Sequence, residues 1–283
     1  MLRIFFAIAL TATATLFSAT SCRKADLEDA LENLKALRAQ ADAEQSIAVL
    51  LEIVQEQLTQ NPVLNSGLNV PASTSTCPVV TTSNGGFPVT LTLDFGTGCT
   101  TSKGYQMSGV IHGTVSGKTD DSGALVNLRL DNLSINGNKV SGSIALKTTG
   151  KSGTAQQSLS FTLAAFKMDN TEGQHLEISQ LTGTLTQTEG QTPAPKTGDG
   201  TLALKDDVFE IAFEGMGTDP EGKAFSLKTT RPLRREYGCE YIVSGIITYD
   251  VEPIAKSADY GNGTCDNKLT VSAGGISKEV VMP

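Results

Sequence analysis

The feature that most constrains the fold is a change of hydrophobic period near residue 76. Before it, apolar residues recur at intervals of three and four; after it, they alternate with polar residues. The alternation is clearest in residues 126–131 and 209–214, and it continues through residues 241–249. A period of two indicates strands with one buried face and one solvated face. The chain therefore predicts an N-terminal helix followed by a much larger β region.

Short turn signals separate the predicted strands. They read "NGN" at 136–138, "DNTEG" at 169–173, "DPEG" at 219–222 and "AGG" at 273–275. Turns of this length connect antiparallel strands, because a parallel pair needs a long crossover. About a dozen strands fit the β region. We expect a mainly β protein, an antiparallel meander that forms a curved sheet, a sandwich or a partly open barrel.

One tetrapeptide pattern recurs inside the strands. Glycine is its second residue each time, in "SGVI" at 108–111, "SGSI" at 141–144, "TGTL" at 182–185 and "SGII" at 244–247. Glycine weakens a strand unless a bulge, a bend or a close backbone approach uses it. The pattern favours a deliberately curved sheet, and chance recurrence in a Gly- and Thr-rich chain is the alternative.

The domain organisation follows from the same periodicities. Residues 24–60 contain no Gly or Pro and carry an apolar stripe at helical spacing, and Pro62 stops the helix. We divide the chain into a signal peptide (1–21), an anchor and helix (22–60), a linker (61–76) and a β domain (77–283), with 186–200 as the place where two lobes would separate. The helix suits a stalk, a coiled-coil element or a cover packed on the β domain.

The first 21 residues are typical of an export signal. Arg3 precedes a 14-residue apolar core, Ile4 to Phe17, which is too short for a comfortable membrane span. Small residues, Ala19 to Ser21, then lead to Cys22. This junction resembles a bacterial lipobox in which Ala replaces the usual Leu, as in lipoproteins of the Bacteroidota. An ordinary signal peptide that ends near a cysteine is the alternative.

The lipobox resemblance implies that Cys22 carries acyl chains and becomes the mature N-terminus. Two or more chains would hold the protein stably on a bilayer. Arg23 stands where an aspartate would favour retention in an inner membrane. We therefore expect an outer-membrane lipoprotein on the periplasmic or the cell-surface face.

The charge balance argues against nucleic acid as a partner. Loss of residues 1–21 removes Arg3, so 21 basic residues face 30 acidic ones, a net charge of −9. Binding to phosphates needs a basic stripe, and the basic residues of this chain are not clustered.

Four further cysteines lie in two similar segments. Cys77 to Cys99 and Cys239 to Cys265 each begin with a cysteine, run through β-type sequence and return through Asp, an aromatic residue and Gly to a second cysteine. An exported protein meets oxidising conditions, so these cysteines predict disulfides. The similarity favours the pairs Cys77–Cys99 and Cys239–Cys265 over the other two arrangements.

Metal sites are less well supported by the same residues. Structural zinc prefers closely spaced cysteine pairs, and neither segment contains one. A calcium site would use Asp259, Asn262, Asp266 and Asn267, but their spacing does not match the twelve-residue calcium loop. Ordinary turn chemistry explains them as well. We expect no metal and no cofactor.

Three segments carry a resemblance over roughly residues 77–283. "FPVTLTLDFGTGCT", "RPLRREYGCEYIVSGIITY" and "ADYGNGTCDNKLTV" resemble an uncharacterised family of secreted Bacteroidota lipoproteins. The resemblance implies an anchored, exported all-β protein and carries no activity to any residue.

No catalytic motif stands out. His112 and His175 lie in predicted strands, and no G-x-S-x-G elbow is present. We expect no enzyme, but a structural or interaction protein held to the membrane by its anchor, with an unknown protein or lipid ligand. The alternatives are a carrier of hydrophobic ligands in a curved sheet, and a hydrolase whose triad forms only in three dimensions.

Overall fold

The computed structural model describes residues 19–61, 63–64, 77–83, 86–119, 121–149, 158–190, 207–251 and 255–282. Residues 1–35 and 36–283 form separate units. The first contains the beginning of helix α1 (Ala19–Gln60), and the second contains the rest of it and fourteen strands. The predicted signal peptide lies outside the described residues up to residue 18, as do Pro62 and residues 65–76 of the predicted linker. Among the described helices, none is long and apolar enough to cross a membrane.

The fourteen strands form one antiparallel sheet in chain order, with β3 attached beside β4. This meander confirms the predicted fold class. It is a single open sheet, and within the described residues β1 and β14 are its two edges. The strands are β1 (Val79–Thr82), β2 (Val89–Asp94), β3 (Cys99–Thr100), β4 (Gln106–Val115), β5 (Leu125–Ile135), β6 (Asn138–Thr148), β7 (Ser158–Asp169), β8 (His175–Glu189), β9 (Val208–Thr218), β10 (Ala224–Glu236), β11 (Ser244–Asp250), β12 (Lys256–Asn262), β13 (Lys268–Ala273) and β14 (Ile276–Val281).

β8 and β9, the strands on either side of the suggested lobe boundary at residues 186–200, are paired in one continuous sheet. β8 extends to Glu189, and it pairs with β9 over almost its whole length. Residues 191–206 of the predicted loop lie outside the described residues. The strands on both sides of this segment therefore belong to one sheet.

The inner face of the sheet has the predicted alternation. Val126, Leu128 and Leu130 are buried in β5, and Phe209, Ile211 and Phe213 are buried in β9. Apart from the buried Val208 at the start of β9, their neighbours on the strand are exposed or half-buried. This pattern gives the sheet one apolar face over which a core can form.

From Ala36 onward, helix α1 packs against that face and is enclosed by it. From Ala36 to Gln55 every side chain except Arg38 and Gln45 is buried, whichever way it points from the helix axis. Ser46 contacts Met168 of β7, whereas Glu44 contacts Tyr260 of β12. Those strands are five places apart, about 24 Å in a flat sheet, and a helix is only about 12 Å wide. The sheet must therefore curve around the helix.

Bulges at the recurring glycines produce this curvature. Gly109, Gly142 and Gly245 have φ values of +94°, +134° and +130°, and each lies at a shift of strand register. Gly183 keeps an ordinary φ, but a Cβ there would lie 2.3 Å from the carbonyl oxygen of Ala212. Three of the four glycines thus supply bulges and the fourth supplies a close approach.

Candidate functional site

The first group of candidate residues is a buried ionic cluster between α1 and the sheet. The carboxylate of Glu52 accepts hydrogen bonds from Arg235 Nη2 at 2.7 Å and from the Tyr105 hydroxyl at 3.0 Å. Lys103 Nζ lies 2.6 Å from the other carboxylate oxygen. Arg235 also donates to Tyr105 and to the carbonyl of Glu240. We call these residues, Glu52, Arg235, Lys103 and Tyr105, the Glu52 cluster.

The Glu52 cluster is charged and almost fully removed from solvent. The side chains of Arg235 and Glu52 are 1% and 5% exposed. Burial alone raises the pKa of Glu52, but Arg235 and Lys103 outweigh it and leave that pKa below its usual value. Burial raises the pKa of Tyr105 well above its usual value. Neither group exchanges a proton easily near neutral pH, so the cluster suits a structural lock better than acid–base chemistry.

A second cluster lies two helical turns earlier. Glu44 is 2% exposed, and its two carboxylate oxygens accept hydrogen bonds from the hydroxyls of Tyr249 and Tyr260. Burial raises the pKa of Glu44 to about 7, against the opposing effect of the two tyrosine hydrogen bonds. Asp42 is also buried and accepts a bond from Asn170 at 3.0 Å; burial raises its pKa to about 6. We call Glu44, Tyr249 and Tyr260 the Glu44 cluster.

The two histidines singled out in the sequence lie elsewhere, on the outer face of the sheet. His112 is exposed in β4. His175 is half exposed and forms hydrogen bonds to Asp169 at 2.7 Å and Glu177 at 3.1 Å, of which the bond to Asp169 raises its pKa most. The sheet separates both rings from the buried acids. The structure does not bring the histidines together with either buried cluster.

The structure contains both predicted disulfides. Cys77 is bonded to Cys99 and Cys239 to Cys265, each with a Cα–Cα distance of 5.8 Å. The first ties the segment before β1 to β3, and the second ties the β10–β11 connection to the β12–β13 connection. Cys22 falls within the span of α1, but its side chain lies outside the described residues. Its acylation therefore stays a prediction.

The side chains considered as calcium ligands form hydrogen bonds with other groups of the protein. Asp259 Oδ1 accepts from Gly261 N at 2.9 Å and from Arg231 at 3.0 Å. Asn262 accepts from Thr264, and Asp266 accepts from the backbone of Lys268. In the part of the chain that the structure describes, no group of three or more acidic, histidine or cysteine side chains could hold a metal ion.

A shallow groove of about 470 Å³ crosses the outer face of strands β8 to β11. Two rows of directly paired residues border it: Gln180, Met216, Ser226 and Asp250 in one, and Thr182, Glu214, Lys228 and Thr248 in the other. Met216 is 57% exposed. The groove offers polar side chains and two apolar ones, Met216 and Leu227, for contact with a partner, without a histidine or cysteine among its lining residues.

Sequence reasoning missed both buried clusters. The apolar stripe indicates one buried face of the helix and assigns no partner to the carboxylates of Glu44 and Glu52. The available signal was that the apolar stripe blurs around Ala39 to Glu44, where small Ala residues surround the helix on several sides. A helix with such a sequence fits inside a curved sheet, because alanines allow close approach all around it.

No family model, curated protein or solved structure matches this chain. Its functional assignment therefore depends on the residues and contacts described above.

Proposed function

We propose that this protein is a non-catalytic lipoprotein of the outer membrane, held to the bilayer at Cys22, whose β domain serves as a structural or interaction module. The observation that carries this proposal is the enclosed helix. Its side chains from Ala36 to Gln55 fill the space on the concave side of the sheet, where a carrier would need room for its ligand. The resemblance of the N-terminal residues to a lipobox supports the anchor, and the family resemblance supports an exported protein.

The buried charges favour a module that keeps its shape. A hydrolase would need its polar groups to reach a substrate, whereas Glu52 and Arg235 are enclosed between the helix and the sheet. Breaking that pair would leave a charge uncompensated in the interior, which is strongly unfavourable. We infer that the end of the helix around Glu52 moves with the sheet as one body, and that partners meet the outer face or the sheet edges.

A carrier of lipids is the competing hypothesis, and it makes a different demand on the molecule. The helix would have to leave the sheet before an apolar ligand could replace it. That would expose Leu50, Leu51 and Val54, each at most 2% exposed, together with the charges of the Glu52 cluster. This cost disfavours the carrier.

Native mass spectrometry of protein purified from its own envelope tests the proposal. We expect the delipidated mature protein to have no stoichiometric apolar ligand, and the detergent-extracted protein to show the mass of acyl chains on Cys22. The Cys22→Ala variant should lose membrane association. A reproducible one-to-one lipid besides the anchor would instead support a carrier, and a Cys22→Ala variant that stays in the membrane would remove the anchor from the proposal.

A further inference from the structure

Glu44 differs from the other buried acid of the ionic clusters in what surrounds it. From the sheet, it faces the hydroxyls of Tyr249 on β11 and Tyr260 on β12, the latter at 2.5 Å. From the helix, the charge of Asp42 acts on one of these tyrosines, Tyr260. Among the described residues no lysine or arginine lies within ion-pair distance of Glu44, whereas Glu52 has both.

The helical turn before Glu44 also contains a buried amide without a partner. Gln40 lies one turn earlier and is 2% exposed, yet neither its amide nitrogen nor its amide oxygen has a hydrogen-bond partner among the described residues. An unsatisfied buried amide costs free energy. This cost opposes the seating of the beginning of the enclosed helix, and the contacts of Glu44 and Asp42 help to offset it.

We propose that Glu44, seated between Tyr249 and Tyr260, is a pH-sensitive catch that holds the first turns of the enclosed helix more tightly in acid than at neutral or alkaline pH. A protonated carboxyl is neutral and suits an apolar interior. A carboxylate there has two phenol donors but no cation, so its desolvation is only partly compensated. Loss of the proton therefore weakens the seating of residues 36–47.

The direction of this pH dependence follows from the difference in proton binding between the folded and the open state. Burial raises the pKa of Glu44 from its usual 4.5 to about 7, so the folded state holds a proton that the open state releases. The stabilisation that protonated Glu44 gives to the first turns of the enclosed helix is therefore greatest below about pH 4.5. It decreases as the pH rises to about 7 and is constant above that pH. Asp42, with its pKa raised to about 6 by burial, acts in the same direction over a lower range.

The end of the helix should not share this response. The pKa of Glu52 stays low despite burial, because Arg235 and Lys103 favour its charged form. Its pair with Arg235 therefore persists from mildly acidic to alkaline pH. The pH response is confined to one end of the helix, and the other end remains locked in the sheet.

Amide hydrogen exchange from pH 5 to 8, corrected for the intrinsic rates, tests the catch. One carboxyl that titrates in this range changes an opening equilibrium by up to tenfold per pH unit. We expect protection factors in residues 36–47 to fall by more than tenfold per unit between pH 5 and 6, where Asp42 also titrates, and by about tenfold per unit between pH 6 and 7. Those in residues 50–58 should stay constant. In Glu44→Gln the slope should shrink to the part due to Asp42, and it should vanish when Asp42→Asn is added.

A carboxyl-¹³C titration of Glu44 in the unmodified protein gives a readout that needs no variant. We expect a midpoint near 7 that moves upward in Tyr260→Phe, because one donor to the carboxylate is lost. Constant protection of residues 36–47 across this range, an unchanged slope in Glu44→Gln, or a Glu44 midpoint near 4.5 would each overturn the proposal.

Discussion

Arg235 of β10 and Glu52 of α1, 183 residues apart in the chain, form an ion pair of 2.7 Å at the centre of the molecule. The Tyr105 hydroxyl forms hydrogen bonds with both partners, and Lys103 Nζ lies 2.6 Å from the other carboxylate oxygen of Glu52. This pair joins the helix to the later half of the sheet, and Tyr105 joins it to the earlier half. The Arg235–Glu52 pair and Tyr105 therefore hold both halves of the curved sheet against the helix.

Replacing Arg235 should be among the most damaging single changes. Arg235→Leu leaves Glu52 buried with only part of its charge compensated, and we expect a loss of about 3–5 kcal/mol in the free energy of unfolding. Arg231→Leu is the matched control, because Arg231 pairs with Asp259 in solvent and should cost at most about 1 kcal/mol. Urea unfolding of both variants measures the difference, and equal losses would contradict the role of the buried pair.

The same cluster predicts an acid response opposite in sign to that of Glu44. The folded pKa of Glu52 lies below its usual 4.5, because Arg235 and Lys103 outweigh the effect of burial. Its contribution to stability is present above about pH 4.5 and is lost as the pH falls through the folded pKa. Urea midpoints between pH 2.5 and 5 should therefore fall less steeply in Glu52→Gln than in the parent protein. Glu214→Gln, whose pair with Lys228 is exposed, should keep the parent slope.

The glycine bulges give a prediction with an internal control. In Gly109→Ala, the new Cβ would lie 2.2 Å from the carbonyl oxygen of Asn132, at a φ of +94°. We expect a loss of about 2 kcal/mol or more, since strain and overlap add. Gly117→Ala meets nothing within 4 Å and should change stability by less than about 0.5 kcal/mol. If both variants unfold alike by urea titration, the bulge is not needed for the curvature.

Each disulfide should stabilise the edge region that it closes. Loops of 22 and 26 residues predict about 3 kcal/mol for each bond in the chain-entropy model. The double variants Cys77→Ala/Cys99→Ala and Cys239→Ala/Cys265→Ala should each lose stability of this order. Non-reducing peptide mapping of the parent protein checks the pairing, and any crossed peptide would contradict it.

Local sequence patterns predicted the strands, their order and the disulfides. They did not predict the position of the helix, because its partners lie far away in the chain. The period-two runs predicted the strands, the turn residues predicted the meander, and the recurring glycines predicted a curved sheet. In the structure, Gly109, Gly142 and Gly245 lie at bulges. The similarity of two segments predicted both disulfides. Each of these features can be read from short stretches of sequence, and each disulfide closes a loop of fewer than 30 residues.

The seating of the helix had no comparable local signal. Glu44 meets tyrosines more than 200 residues away, and Glu52 meets an arginine 183 residues away. The apolar stripe favoured a cover packed on the β domain and left a stalk and a coiled-coil element as alternatives. The structure selects packing on the sheet for the residues from Ala36 onward, and it places the helix inside the curve, where its carboxylates meet buried partners.

The central claim is that the helix is a permanent part of the core, and thiol labelling tests it most directly. In a Cys22→Ala background, Ala48→Cys places a small thiol at a helix position that is 1% exposed, and Met216→Cys places one on the 57% exposed outer groove. We predict that the thiol at position 216 reacts as fast as a free thiol, and that the thiol at 48 reacts only as fast as the whole protein unfolds. Comparable rates at the two positions in the folded protein would contradict the account, because the helix would then leave the sheet and open a cavity for a ligand.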